Sequence, residues 1–153
     1  MIVWRICKKR HRPTAFSGIG AENFGGRWNR KGERMVYTSG SLSLAALEFF
    51  VHLDPKVIPS DLIWIRATIP DTVSVEKLSP KALPKNRRRY PAPARLQAIG
   101  SKWLRESRSF VLIVPSAVNP EEQNILLNPL HPHEASLSGV KSKPFQFDPR
   151  MWR

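Results

Sequence analysis

The sequence predicts an α+β fold built on a largely antiparallel or mixed β-sheet with a few short helices. Three observations predict it. Segments with strand character outnumber those with helical character. The two kinds do not alternate regularly. Fourteen prolines in 153 residues keep the elements short. The length is that of one ordinary domain covering residues 1–153. At 41% hydrophobic residues, the chain has enough apolar material for a core and too much for disorder.

Ile2 to Cys7 reads as a strand. Pro13 to Arg34 holds five glycines with little periodicity, which predicts a long ordered loop; such loops in compact domains are often functional. Met35 to Thr38 is a short strand. Ser41 or Ser43 then caps a helix running to about Leu53. Leu44, Leu47 and Val51 fall at helical spacing and predict its buried stripe, while Ala45, Glu48 and His52 share an adjacent face. Asp61 to Ile69 is a strand, Val73 to Val75 a shorter one, and Pro80 to Pro93 a proline- and arginine-rich excursion. A second helix is expected from Ala94 to Glu106, with Pro93 near its first turn. The continuous apolar run Ser109 to Val114 favours a buried strand by its length and β-branching, and Pro115 ends it. Glu122 to Asn128 is ambiguous between helix and strand. Phe145 to Phe147 is expected at a sheet edge.

Twenty-five basic residues stand against twelve acidic ones, a net charge of +13. A field of that sign attracts nucleic acid, an acidic protein or a phosphate-bearing small molecule. The charge clusters at Lys8, Lys9, Arg10 and Arg12, and again at Arg87, Arg88 and Arg89. The simplest reading of each cluster is a solvated loop. Cys7 has no cysteine partner for an internal disulfide, so a cytoplasmic location is expected. No apolar run approaches the roughly 18 residues that span a bilayer. The opening Met1-Ile2-Val3-Trp4-Arg5 lacks the basic and apolar regions of a signal peptide, and neither feature is expected.

Three segments carry polar residues that the apolar pattern does not require. In Gly25-Gly26-Arg27-Trp28-Asn29, two glycines let backbone N–H groups approach an anion, and Arg27 adds a planar fork suited to phosphate; a plain turn is the alternative. Glu48 sits in a very apolar helix, either as a carboxylate in a cleft opposite a developing positive charge or as a surface partner of His52. Ser116 and Asn119 follow the buried strand, at a site edge or in an ordinary Ser-Asn turn. His131-Pro132-His133 and the single cysteine lack the spacing of a zinc site, and no metal is expected. There is no Walker lysine, no GxGxxG and no G-x-S-x-G. Five tryptophans could stack bases, although packing is the commoner use.

In order along the chain stand Gly25-Gly26-Arg27-Trp28-Asn29, Gly32, Tyr37, Leu44-Ala45-x-x-Glu48 with His52, Val114-Pro115-Ser116, and Asn124-x-x-x-Asn128-Pro129-x-His131. This succession resembles the RES domain, a family named for an arginine, a glutamate and a serine; the matching residues are Arg27, Glu48 and Ser116. The opening Trp4-Arg5 and closing Phe147-Asp148-Pro149-Arg150 extend the likeness over nearly the whole chain. Two features depart from the family. Ser101 stands where members often carry an acidic residue, and the strong positive charge is not typical.

The resemblance implies a fold similar to ADP-ribosyltransferases. It implies a toxin that degrades NAD⁺ at the nicotinamide–ribose bond, with inorganic phosphate or water as acceptor. It also implies a helix-turn-helix (Xre-type) antitoxin that blocks the active site, with DNA met only through that antitoxin. Arg27, helped by Arg5, is expected at the diphosphate and Tyr37 over the nicotinamide ring. Glu48 is expected at the ribose hydroxyls, opposite the oxocarbenium charge. Ser116 is expected at the nicotinamide–ribose end or orienting Glu48, with Asn119 steadying its loop beside the substrate. A protein ADP-ribosyltransferase shares this chemistry. The alternatives of another class are a nucleic-acid-binding or ribonuclease-type toxin, motivated by the charge and the tryptophans, and an inert binding module.

Overall fold

The computed structural model describes residues 1–54, 56–57 and 59–152. Seven strands are described: β1 (Ile2–Lys8), β2 (Val36–Ser39), β3 (Leu62–Thr68), β4 (Val75–Lys77), β5 (Val111–Pro115), β6 (Gln123–Leu127) and β7 (Ser138–Phe145). They form one sheet in the order β4-β5-β6-β2-β1-β3-β7. The β4–β5 pair is parallel and the other neighbours are antiparallel, so the sheet is mixed and the fold is α+β. The helices are α1 (Ile19–Phe24), α2 (Leu42–Phe50) and α3 (Ala94–Glu106). Among the described residues no helix is long and apolar enough to cross a membrane.

Period-two alternation divides the core between the two faces of the sheet. Tyr37, Leu126 and Leu112 stand in register across β2, β6 and β5. They pack with Leu96 and Trp103 of α3 and with Trp28. The next row, Val36, Leu127 and Val111, turns to the other face and joins Val3, Ala67 and Phe110. Gly100 lets α3 approach closely, because a Cβ there would overlap the Trp28 carbonyl. Helix α2 lies over β1 and β2, and its Ala45 joins Ile6, Leu62 and Phe147 in one apolar cluster.

Several sequence expectations are corrected. The glycine-rich stretch contains α1, bounded by Gly18 and Gly25, whose φ angles of 74° and 71° suit glycine. Ser41 is the cap of α2, its Oγ accepting from Leu44 N at 3.1 Å, and the helix ends at Phe50 rather than Leu53. Of the expected stripe Leu44 is buried, whereas Leu47 and Val51 are exposed, and Ala45 is buried beside Leu44 in their place. A helix apolar nearly all round has no periodicity to select its inner face. The ambiguous 122–128 stretch is β6, and β4 begins where the short 73–75 strand was expected to end.

The edge strand beside β3 is β7, eight residues long, and Phe145 is its last residue rather than its first. Its sequence SGVKSKPF is largely exposed, so no alternation marks it. Phe147 instead packs among Phe49, Phe50, Phe145 and Trp152.

Candidate active site

A cleft of about 790 Å³ opens where β1, β2, α2 and the α1–β2 loop meet, and its lining includes Arg5, Arg27, Tyr37, Glu48 and Asn124. The central strands carry Arg5 and Tyr37, the loop carries Arg27, α2 carries Glu48 and β6 carries Asn124. Four residues far apart in the chain, Arg5, Arg27, Tyr37 and Glu48, thus share one hollow.

Glu48 is held through a single oxygen. Its Oε1 accepts from Ser116 Oγ at 2.7 Å and from Asn124 Nδ2. Among the described residues, Oε2 accepts no hydrogen bond. Ser116 is buried, and its Oγ also accepts from Val118 N at 3.1 Å and Asn119 N at 3.0 Å. With both lone pairs engaged, its one proton is directed at Glu48. Asn124 Oδ1 in turn accepts from Ser39 Oγ at 2.9 Å, which assigns its amide nitrogen to the carboxylate.

Tyr37 is pinned by its hydroxyl, which donates to Asn29 Oδ1 at 2.8 Å and accepts from Trp28 N at 3.0 Å. Burial raises the phenol well above its ordinary value and keeps it neutral. Gly26 is required here: a Cβ would come 2.5 Å from the Tyr37 hydroxyl. Asn29 is fixed by donation from Nδ2 to the carbonyls of Ala21, Arg30 and Glu33.

Two cations border this arrangement. Arg5 Nη1 donates to the Tyr37 carbonyl at 3.0 Å, and its buried Nε has no partner among the described residues. Burial lowers the Arg5 pKa. Burial also lowers that of Arg27, while Glu48 and Tyr37 act in the opposite sense. A guanidinium nevertheless stays charged under these influences. Arg27 Nη1 donates to the carbonyls of Arg87 at 2.7 Å and Arg89 at 3.2 Å. Arg88 Nε donates to the Ala117 carbonyl at 3.0 Å. The second basic cluster keeps Arg88 and Arg89 exposed to solvent, while its backbone is tied between the glycine loop and the Ser116 loop.

The remaining candidates fall elsewhere. Ser116 sits behind Glu48 and is not part of the cleft wall. Asn119 is likewise not among the residues that line the cleft; it sits in the Ser116 loop, its N–H donating to Ser116 Oγ. Its Nδ2 donates to Glu122 Oε2 at 2.8 Å, and Glu122 Oε1 accepts from Ser41 Oγ at 2.8 Å, tying this loop to the start of α2. His52 borders the cleft but forms no ion pair with Glu48. His131 serves a local turn, accepting from His133 N, while Asn128 accepts from Leu130 N and donates from Nδ2 to the Leu104 carbonyl and Ser107 Oγ at the end of α3. Asn124 was missed as a site residue because it lay in the stretch that periodicity left ambiguous; its register opposite Ser39 makes the contact. Among the described residues no group of three or more His, Cys, Asp or Glu could hold a metal ion.

The family model described as the RES domain matches residues 2–148. A Yersinia enterocolitica protein named Toxin Res is 40% identical over 152 residues, covering 99% of each chain. A Sphingobium protein named Prs ADP-ribosylating toxin is 37% identical over 154 residues, covering 98% of this chain and 96% of that one. The toxin–antitoxin complex MbcT–MbcA of M. tuberculosis contains a chain that superposes with a TM-score of 0.73 at 16% identity, over 99% of this chain and 86% of the other. At that identity the likeness is one of fold. Family model, relatives and fold together place the chain in the RES domain family.

Proposed function

We propose that this chain is the toxin of a toxin–antitoxin pair and that it degrades NAD⁺ by breaking the nicotinamide–ribose bond. The observation that carries the reading is a carboxylate anchored through one oxygen in a cleft shared with two arginines. Cleavage sends the glycosidic electron pair to nicotinamide, which leaves neutral and needs no proton. The ribose acquires oxocarbenium character, and Glu48 is the group that faces this charge. Arg5 and Arg27 supply positive charge for the diphosphate, and among the described residues the Arg5 Nε has no partner. Tyr37 offers a fixed ring to the nicotinamide. Ser116 and Asn124 orient the carboxylate.

Phosphate attack at the anomeric carbon yields ADP-ribose 1″-phosphate, and water yields ADP-ribose. A protein acceptor is the second reading, favoured by the name of the Sphingobium relative. The partner in this reading is a helix-turn-helix antitoxin that covers the cleft, with DNA reached only through it. Toxin names among the relatives and the complex formed by the structural neighbour support such a partner.

The test is incubation of purified protein with NAD⁺, with and without phosphate and with cell extract, followed by mass spectrometry. Release of nicotinamide is expected, and the form of the ADP-ribose product identifies the acceptor. Intact NAD⁺ in every condition would refute the reading.

A further inference from the structure

Phe24 and Tyr90 are out of place by composition. They are 86% and 84% exposed, more than any other large apolar side chain among the described residues. A single exposed aromatic is ordinary. These two border the same cleft, the one that holds Glu48, Arg5 and Arg27. Neither stacks on another aromatic ring among the described residues. Packing therefore does not explain them.

Their backbones are positioned all the same. Phe24 is the last residue of α1, followed at once by the left-handed Gly25. Tyr90 follows Arg89, whose carbonyl Arg27 holds. Arg27 lies three residues after Phe24, so one guanidinium ties the loop that bears one ring to the segment that bears the other. The same side chain carries the positive charge at the cleft.

We propose that Phe24 and Tyr90 form a stacking site for the purine base of the dinucleotide. The inference rests on the NAD⁺ reading for the identity of the base. The carboxylate accounts for the ribose that reacts and the arginines for the diphosphate. The base at the far end of such a ligand needs an apolar, planar surface, and a cleft edged with positive charge and exposed rings provides one. Stacking on an aromatic side chain contributes enough per base that its loss weakens binding about tenfold or more.

The experiment is calorimetric titration with ADP-ribose and with ribose 5-phosphate, which lacks the base. The wild type is expected to prefer ADP-ribose. Phe24→Ala and Tyr90→Ala should each weaken ADP-ribose binding about tenfold, and the double variant should lose most of the preference. Tyr90→Phe keeps the ring and should keep the affinity. Both side chains are exposed, so folding should survive, and thermal melting checks it. Undiminished ADP-ribose binding by the double variant would overturn the proposal. So would loss of antitoxin affinity alone, which would assign the rings to a protein interface. The cleavage reading is judged separately by NAD⁺ turnover: a wild type that grips ADP-ribose through these rings yet leaves NAD⁺ intact refutes cleavage and retains the stacking site.

Discussion

Ser116 Oγ donates to Glu48 Oε1 at 2.7 Å across 68 residues of chain. The serine is buried and the glutamate lines the cleft, so the hydroxyl acts on the cleft through the carboxylate. Ser116→Ala should lower kcat for NAD⁺ cleavage about tenfold, the worth of one hydrogen bond to a charged group. KM should stay unchanged, because the hydroxyl does not reach the cleft wall. Steady-state kinetics separate the two, and a raised KM with unchanged kcat would place Ser116 on the substrate instead.

Glu48→Gln preserves size and removes the charge. The cleavage rate should fall about 10²–10³-fold, the scale of one preorganised electrostatic group. NAD⁺ affinity should change far less, and expression should cease to arrest growth. Single-turnover measurements alongside a binding titration check this. Full cleavage by the variant would remove Glu48 from the mechanism.

Arg27 holds the carbonyls of Arg87 and Arg89. Arg27→Ala should release that segment and expose three consecutive trypsin sites. Hydrogen bonds from a charged donor are worth about 1.5–3 kcal/mol, so cleavage at 87–89 should accelerate about tenfold or more. Limited proteolysis with mass mapping reads the sites directly. An unchanged cleavage rate would mean that the segment is held by other contacts.

Tyr37→Phe removes both the donation to Asn29 and the acceptance from Trp28 N, and should cost about 2 kcal/mol at neutral pH. The pH dependence has a definite sign. Burial raises the phenol above its ordinary value of 10.0, so above that pH the unfolded chain loses the proton first. The unfolded state then binds fewer protons, and stability falls as pH rises. Tyr37's contribution is complete below the unfolded value and declines above it. Urea titrations of wild type and Tyr37→Phe should therefore differ most near neutrality and converge above pH 10. A gap that widened there would contradict the buried phenol.

Local pattern alone was enough for the segments whose chemistry is local. Ala94–Glu106 begins and ends as its proline and spacing predict, because caps and helical periodicity act within a few residues. The apolar run before Pro115 is a strand for the same reason. The order of Arg27, Tyr37, Glu48 and Ser116 was visible as well, since it is a property of the chain.

Tertiary structure decided what each of those residues touches. It gave Glu48 a second donor in Asn124 through a strand register that no short-range pattern contains. It joined Asn119 to Glu122 within the Ser116 loop. It selected the buried face of α2, which a nearly uniformly apolar helix leaves undetermined, and paired the polar β7 with β3 through backbone hydrogen bonds. Those contacts depend on groups brought together from distant parts of the chain, and backbone pairing imposes little demand on side-chain type; neither leaves a signature in a single stretch of residues.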